Sequence, residues 1–477
     1  MIKRLKYILN NNSNIIENFS FLSVLQITNF VIFLLLIPYL YRVLGKENYG
    51  LVVFAQTVSQ YLIILINFGL NATATRDISI YRDDGKVRSQ IISSIISLKF
   101  LLFILSFFIL LILIFFIPFI KQHKLVFIFS MVYCLNEALF PIWYFQGIEK
   151  MKYITYLNIG SRIISLFFIF IIINEPSKYL FVPLILGIGN LIGAIIGLIL
   201  VFKKADNYFI IQPLSKLKSY VVNNFPLFIS NVSSQMYVNA NRLIIGSYLS
   251  MSDLAIYDVA DRVVNILKVP LSVISQVLFP KVSRDGNVKF ILKSMVISTM
   301  SYVIIYFILF ISANIIIELL TGTVNLQAVR IMKLLGLSII PICAGMFYSD
   351  ILLLSKGLFK SYAKLRIVSL LLYVLLVLSM IILKYVDLIP LAISIIIVED
   401  LELDLLTIEI EDNGKGIDKK LIDKVTDPFF TTRKTRSVGL GLALAKESAI
   451  HCDGNFKIES EQGKGTEVIF SYRYSHI

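Results

Sequence analysis

Cysteine and charged residues are both scarce in this sequence. Among 477 residues there are three cysteines, and 16% of the residues are charged. Cys134 and Cys343 lie inside apolar stretches and Cys452 lies far along the chain, so the spacing gives no disulfide framework and no cysteine metal site. A cleavable signal peptide is not expected, because the first apolar run is too long and has no small-residue cleavage site.

Long apolar runs fill most of the chain instead. Hydrophobic residues make up 57% of the sequence and the mean hydropathy is +0.80, values that predict a membrane protein with many spanning helices. A spanning helix needs about 20 apolar residues. Eleven segments qualify: 19–41, 51–70, 91–119, 125–145, 154–173, 179–202, 220–249, 254–280, 290–320, 330–354 and 367–383. A twelfth, 388–398, is too short to span.

The basic residues lie mainly in short loops between these segments. Their positions account for the net charge of +14 without a nucleic-acid partner. Loops that share a side with the N-terminus are the richest in lysine and arginine, and basic loops stay in the cytoplasm. We therefore expect a cytoplasmic N-terminus, with basic inner loops at 76–88, 203–218 and 356–366.

Two glycine landmarks recur at an offset of 201 residues. Gly45 and Gly246 lie at the outer ends of two segments, and Gly85 and Gly286 lie in inner loops that read RDDGKV and SRDGNVK. This offset predicts two six-helix lobes related by a parallel repeat. The expected fold class is an all-α polytopic membrane protein of this kind, with a small incomplete α/β fragment at the C-terminus that the motifs described below indicate. Coincidence is the alternative, because glycine is common in loops.

Several ionisable residues lie at membrane depth, where a charge must face a cavity or a partner. Asp258 and Arg262 are four residues apart and can pair, while Asp261 and Lys268 are seven apart and share a face. Cations without an evident partner would attract an anion, and a diphosphate suits the arginine fork. The candidate diphosphate-site residues are Arg162, Arg242, Lys268, Lys99 and Arg262. Snorkelling or packing is the alternative for each.

Carboxylates in the same segments are candidates to carry a coupling proton or sodium ion. These candidates are Asp258, Asp261, Glu137 and Asp350. Simple neutralisation of Asp258 by Arg262, with no further role, is the alternative.

Three stretches carry a family resemblance. They read IPYLYRVLGKENYGLVVFAQ, NFGLNATATRDIS, and FPLFISNVSSQMYVNANRLIIGSYLSMSDLAIYDVADRV followed by LFPKVSR. They resemble the polysaccharide repeat-unit flippases of the multidrug/oligosaccharidyl-lipid/polysaccharide exporter superfamily, over about residues 15–390. The resemblance implies two six-helix lobes around a cationic cavity. It also implies movement of an undecaprenyl-diphosphate-linked oligosaccharide from the inner to the outer leaflet by alternating access.

The resemblance also implies a location and partners. The location would be the bacterial cytoplasmic membrane, and the partners would be the lipid bilayer, the lipid-linked oligosaccharide, a polysaccharide polymerase and glycosyltransferases. No cofactor is required. One departure is that such proteins complete the twelfth helix, which here stops after about eleven apolar residues.

The sequence changes character after residue 404. Polar and apolar residues alternate with a period of two, which indicates a strand. Four boxes follow in the order DNGKG, DPFFTT, GLGL and GKGT. We predict a helix over 440–450 and a hairpin over 456–472.

These boxes resemble the ATP-binding domain shared by histidine kinases and type II topoisomerases, over residues 404–473, about half of such a domain. The resemblance implies that Asp412 accepts a hydrogen bond from the adenine amino group and that glycine turns approach phosphate. The nucleotide-binding remnant would comprise Asp412, Gly414, Gly416, Phe430, Gly439, Gly441, Gly465 and Thr466.

Key parts of a kinase are missing from the sequence. In that family an asparagine on the preceding helix holds the magnesium of the nucleotide, but the matching stretch here reads LRIVSLLLYVLLVLSM. The three histidines, His123, His451 and His476, are not on a dimerising helix where a phosphoacceptor would lie. We therefore expect at most weak ATP binding and no phosphotransfer.

The expected organisation has four parts: an N-terminal lobe (1–202), a cytoplasmic loop (203–219), a C-terminal lobe with a truncated twelfth helix (220–398) and an ATPase fragment (399–477). The leading hypothesis is a flippase with a nonfunctional or accessory fragment, and not an enzyme. The alternatives are a membrane-bound sensor-kinase-like ATP-binding protein and a rearranged fusion in which neither activity is complete.

Overall fold

A computed structural model describes ten stretches of the chain. They are residues 13–203, 207–285, 288–355, 359–404, 407–412, 416–418, 421–430, 441–451, 455–462 and 465–471. Up to residue 404 the regular structure described is helical, and three strands follow it. A chain of apolar residues in lipid must satisfy its backbone hydrogen bonds internally, and a helix does this within one segment.

The first part of the chain forms eight α-helices. They are α1 (Ser13–Asn67), α2 (Leu70–Ile80), α3 (Gly85–Phe116), α4 (Pro118–Gln122), α5 (Lys124–Leu139), α6 (Ile142–Gly147), α7 (Met151–Ile172) and α8 (Phe181–Lys203), with a 3₁₀ turn at Pro176–Leu180.

The second part contributes seven more. They are α9 (Leu214–Tyr248), α10 (Met251–Asp285), α11 (Val288–Thr321), α12 (Leu326–Leu337), α13 (Ile339–Gly345), α14 (Phe359–Ile382) and α15 (Leu388–Asp404), with a π-helical stretch at Met346–Leu353.

Helix α1 contains the first two predicted segments. At Gly45 the backbone leaves the helical region, with φ of 75° and ψ of 167°. A left-handed φ is open to glycine at no steric cost, so the chain changes direction there without a loop. Gly69, also at φ 75°, separates α1 from α2 in the same way.

Among the described residues, eight helical stretches are long and apolar enough to cross a membrane. The sequence predicted eleven segments. One stretch, Ser23–Ile80, contains two of them, and α9 and α10 are not among the eight. The predicted all-α fold class of the membrane part is confirmed, and the parallel repeat of two lobes stays a prediction.

Several helices differ from the predicted segments. Segment 125–145 is broken between α5 and α6 around Pro141, which lacks a backbone N–H and ends the helical ladder. Segment 330–354 is divided into α12, α13 and the π-helical stretch. The twelfth helix does not end at residue 398, because α15 continues through acidic residues to Asp404.

Contacts between Cα atoms divide the chain into two units. The first contains Met1–Ile266, Ser312–Met332 and Val386–Leu388, and the second contains the remainder. A buried cluster in the first unit packs the aromatic side chains of α6 against α2 and α3, with Trp143, Tyr144 and Phe145 nearly inaccessible.

The C-terminal residues in the second unit form a small sheet with one helix. Strands β1 (Thr407–Asp412), β2 (Asn455–Glu461) and β3 (Gly465–Ser471) are antiparallel in the order β1-β3-β2, and α16 spans Gly441–His451. Val468 is buried against Leu442 and Ala445 of α16 and against β2. The predicted helix and hairpin are therefore confirmed to within one or two residues.

Candidate functional site

An ion-pair cluster lies where α9, α10 and α1 meet. Asp258 is completely buried, and its carboxylate lies 3.2 Å from Arg242 Nε and 2.7 Å from Arg262 Nε. The Tyr49 hydroxyl donates a hydrogen bond to Asp258 Oδ2 at 2.8 Å. Arg242 also reaches Asp261 at 2.7 Å. Two arginines and two aspartates thus form a compact cluster whose formal charges cancel.

Sequence spacing and small residues together assemble this cluster. Asp258, Asp261 and Arg262 recur at three- and four-residue intervals, so they share one face of α10. The other partners come from helices that pack closely against α10 and against each other. A Cβ atom added to Gly50 would lie only 1.8 Å from the Met251 carbonyl oxygen. A Cβ atom added to Gly246 would lie only 2.2 Å from the Phe54 ring. Glycine at both positions allows α1 to contact the ends of α9 and α10.

The cluster confirms one predicted pair and corrects one expectation. Asp258 and Arg262 pair as their spacing predicts. Arg242 is not a surplus cation, because both aspartates lie within ion-pair distance of it. Asp261 also accepts a hydrogen bond from Asn265 at 2.9 Å.

A second buried charge cluster joins α2, α3 and α5. The Lys99 side chain is 1% exposed, and its ammonium donates to Asn71 Oδ1 at 2.7 Å, Glu137 Oε1 at 2.8 Å and the Glu137 carbonyl at 3.1 Å. The Asn71 amide also donates to Glu137 Oε1 at 3.2 Å. Lys99 was expected to be unpaired; the structure corrects this, because all three donors of its ammonium are used.

The other candidate residues differ in how far they are paired. In the second unit Asp350 lies 3.3 Å from Arg366, which is a partly exposed pair. Arg162, half-buried on α7, and Lys268 on α10 have no hydrogen bond or ion pair within the part of the chain that the structure describes. Of the five cationic candidates, these two therefore remain available for an anion.

Arg42 of the family motif fixes one end of α11. It donates to the Leu319 carbonyl at 2.6 Å, one of the carbonyls that a helix C-terminus leaves free. Gly322, at φ 81°, makes room for it, because a Cβ atom there would lie 3.1 Å from Arg42 Nε. Together with Lys46 and Glu318 these residues line an open concavity of about 680 Å³.

The C-terminal fragment contains the predicted nucleotide-binding residues, and the structure describes some of them. The Cα atoms of Asp412, at the end of β1, and Thr466, near the start of β3, are register partners. Gly465 and Gly416 have φ of 117° and 66°, as expected for turn glycines, and the Phe430 N–H donates to the Asp427 carbonyl. Gly441 begins α16, while Gly414 and Gly439 lie outside the described residues.

Comparison with known proteins identifies the membrane part. The sequence profile of the family described as "Polysaccharide biosynthesis protein" matches residues 15–285, more than half of the chain. The chain belongs to this family. A protein of Escherichia coli (strain K12) named as an O-antigen transporter is 27% identical over 374 residues, which cover 77% of this chain and 90% of that protein.

The fold of this polysaccharide biosynthesis protein is shared with a solved flippase. The structure named "Lipid II flippase MurJ, inward closed conformation" superposes with a TM-score of 0.63 at 15% identity, covering 81% of this chain and 86% of that one. At this identity the likeness concerns the fold alone. Together with the apolar helices, it shows a multi-pass membrane protein, and the predicted family resemblance is confirmed.

The tail of this polysaccharide biosynthesis protein has a second relationship. The profile "Histidine kinase-, DNA gyrase B-, and HSP90-like ATPase" matches residues 374–476, beginning earlier than the motifs indicate. Sensor histidine kinase WalK of Bacillus subtilis (strain 168) is 42% identical over 78 residues, but these cover 13% of the kinase. The chain thus contains a small part of such kinases.

Sequence reasoning missed four partners of the candidate charged residues. They are Tyr49, Asn71, Asn265 and Arg366. Tyr49 and Asn71 stand in the quoted family stretches, and Asn265 lies four residues after Asp261 on α10, so each had a signal. Nothing in the spacing of Arg366 shows which charge it contacts.

Proposed function

We propose that this protein moves an undecaprenyl-diphosphate-linked oligosaccharide across the cytoplasmic membrane by alternating access, for cell-surface polysaccharide biosynthesis. The family membership and the flippase-like fold support this function. A sugar head group cannot cross hydrocarbon unaided, because each desolvated hydroxyl costs kilocalories. A transport path must therefore offer polar groups that water and the sugar hydroxyls can contact.

In this proposal the diphosphate is bound by Arg162, for which the described residues provide no hydrogen bond or ion pair. The observation that carries this assignment is the contrast between Arg162 and the buried clusters, in which carboxylates neutralise Arg242, Arg262 and Lys99. A neutralised cluster attracts an anion weakly, whereas a free guanidinium in a polar cavity binds phosphate oxygens in pairs.

A proton or sodium ion that drives transport would have to compete with the arginine or lysine already paired with its carboxylate. Each candidate carboxylate, namely Asp258, Asp261, Glu137 or Asp350, contacts an arginine or lysine. A proton or sodium ion would therefore have to displace a cation, which links ion binding to a rearrangement of the helices. The N-terminus lies in the cytoplasm, as the basic loops predict.

The ATPase-like tail is accessory in this proposal. The kinase-like alternative is supported by the matched profile, but the sequence before Asp412 lacks the magnesium-holding asparagine. The described part of the tail comprises a three-stranded sheet and one helix.

Complementation tests the proposal. In a strain from which the gene for this chain has been deleted, we expect both the full chain and a chain ending after Asp404 to restore polysaccharide export. The cut follows α15, so that no helix is interrupted. Export is measured as surface polysaccharide, with membrane levels compared by immunoblot. If both chains reach the membrane and neither restores export, the flippase proposal fails; if only the full chain does so, the tail is required.

Arg162→Gln tests the diphosphate assignment. We expect transport to fall about 10- to 150-fold, since one charge-assisted hydrogen bond is worth about 1.5–3 kcal/mol. The thermal unfolding midpoint should not change, because no described carboxylate loses a partner. Transport is measured as surface polysaccharide appearing over time.

Arg82→Gln is the matched control, since its side chain is 51% exposed in a loop. Normal transport by Arg162→Gln would contradict the assignment of Arg162, while complementation would still decide the function.

A further inference from the structure

The segment between α8 and α9 is held as an extended strap, defined here as residues 207–213. Its first residue, Asn207, is 5% exposed, and its amide contacts three groups: Arg88 Nε at 2.7 Å, the Tyr144 hydroxyl at 3.2 Å and the Val201 carbonyl at 2.9 Å. Every polar atom of that side chain is engaged, so the start of the strap is fixed to the helices around it.

Two serines of α3 bind the backbone of the strap. The N–H of Tyr208 donates to Ser89 Oγ at 3.2 Å, and the N–H of Ile210 donates to Ser93 Oγ at 2.9 Å. Ser89 and Ser93 are one helical turn apart, which matches the spacing of alternate N–H groups on an extended chain. The strap therefore runs along α3 in a defined register.

The strap presents large apolar side chains away from the protein. Ile211 is 89% exposed and Leu214, which follows the strap, is 79% exposed, while Tyr208 and Phe209 are about half exposed. Scattered single apolar residues on a surface need no explanation, but a contiguous patch indicates an interaction surface. The bound backbone prevents the strap from turning these side chains inward.

The position of the strap places this patch at the edge of a bilayer. Helix α3 has 32 residues and is about 48 Å long, roughly 18 Å more than the hydrocarbon core. Its strongly lipid-exposed residues begin at Phe100, so Ser89 and Ser93 lie in the head-group layer. The flanking helices also carry exposed apolar residues, Ile199 on α8 and Val222 on α9.

Basic residues surround the patch. Lys203 and Lys218 flank the strap and are exposed, and the adjacent turn contributes Arg82 and Lys86. Such a combination of apolar side chains and lysines suits the head-group region of an anionic leaflet, where each basic residue adds to the attraction.

We propose that the strap is a membrane anchor: Ile211, Leu214 and the neighbouring aromatic rings insert into the leaflet on their side, and the lysines bind anionic phospholipid head groups. The anchor would hold the connection between the two predicted lobes at the bilayer surface. This inference requires that the chain spans a membrane, but not that it transports a lipid-linked sugar.

Tryptophan quenching tests insertion. Ile211→Trp is made in the full chain, which contains one native, buried tryptophan, Trp143, and the parent emission is subtracted. The protein is reconstituted into vesicles of phosphatidylglycerol and phosphatidylethanolamine. We expect lipids brominated near the carbonyl end of the acyl chain to quench the added emission strongly and acrylamide to quench it weakly.

Two variants calibrate this measurement. Phe100→Trp places the reporter on the exposed apolar surface of α3, and Leu444→Trp places it on α16, outside the apolar helices, where the native side chain is 58% exposed. If Ile211→Trp matches Leu444→Trp, with strong acrylamide quenching and none by brominated lipid, insertion is disproved. Because the native Ile211 side chain is almost fully exposed, the substitution leaves packing unchanged.

Lipid charge is tested in the same vesicles. At equal mole fraction, brominated phosphatidylglycerol should quench the Ile211→Trp emission more strongly than brominated phosphatidylethanolamine. Adding Lys203→Gln and Lys218→Gln should remove this difference. Equal quenching by the two lipids with the lysines present would overturn the assignment to anionic head groups.

Discussion

Asp258→Ala is expected to lower the free energy of unfolding by about 3–5 kcal/mol, the loss found when one partner of a buried ion pair is removed. Asp258 has no exposed surface and contacts two arginines and a tyrosine hydroxyl. Its removal leaves Arg262 without a described carboxylate partner at short range and leaves the Tyr49 hydroxyl unsatisfied. Unfolding is measured by thermal and denaturant transitions of the purified protein in detergent micelles.

Two other variants provide a comparison for the unfolding free energy lost in Asp258→Ala. Asp261→Ala should cost less, because its side chain is partly exposed and Arg242 keeps Asp258 as a partner. Tyr49→Phe removes one hydrogen bond to a charged group and should cost about 1.5–3 kcal/mol. If Asp258→Ala is no more destabilising than Asp261→Ala, the central position of Asp258 in the cluster is wrong.

Spacing along one helix could be predicted from the sequence, but contacts between helices could not. Asp258 and Arg262 are four residues apart on α10, and helical geometry alone brings them together. Arg242 and Tyr49 come from other helices, and their positions depend on close packing at Gly50 and Gly246. For the same reason, the pairing of Lys99 with Glu137 has no signature in either segment.

Hydropathy located the membrane segments but not the ends of the helices. Helix α15 continues past the last apolar residue, Val398, to Asp404, giving 17 residues and a length of about 25 Å. Leucine and glutamate are both good helix formers, so the backbone ladder persists where the side chains become acidic. The end of the apolar run indicates where side chains suited to lipid end. The helix itself ends where its backbone hydrogen bonds end, which can be several residues later.

The tail was predictable at the level of its elements. A two-residue alternation predicted β1, the GLGL box predicted the start of α16, and the GKGT box predicted the connection between β2 and β3. Both kinds of signal are local in the sequence. Whether a nucleotide can bind depends on groups from distant segments, which is why the motifs alone do not predict activity.

Lys99→Met is expected to destabilise the first unit by about 3 kcal/mol, the lower end of the loss for a broken buried pair. Glu137 would keep its hydrogen bond from Asn71, and its side chain is 23% exposed, so water relieves part of the cost. The double variant Lys99→Met/Glu137→Leu should recover most of the stability, because replacing both charges by apolar groups of similar volume is often neutral. Unfolding in micelles and export in the deletion strain are measured for both variants.

The two measurements separate a packing role from a transport role. If the double variant recovers stability and export together, the pair only holds α2, α3 and α5 in place. Recovery of stability without export would show that Lys99 or Glu137 takes part in the transport cycle, as the membrane position of both charges predicts. A single variant Lys99→Met as stable as the parent would contradict the buried pair itself, because an ammonium with three bonded donors cannot be removed without cost.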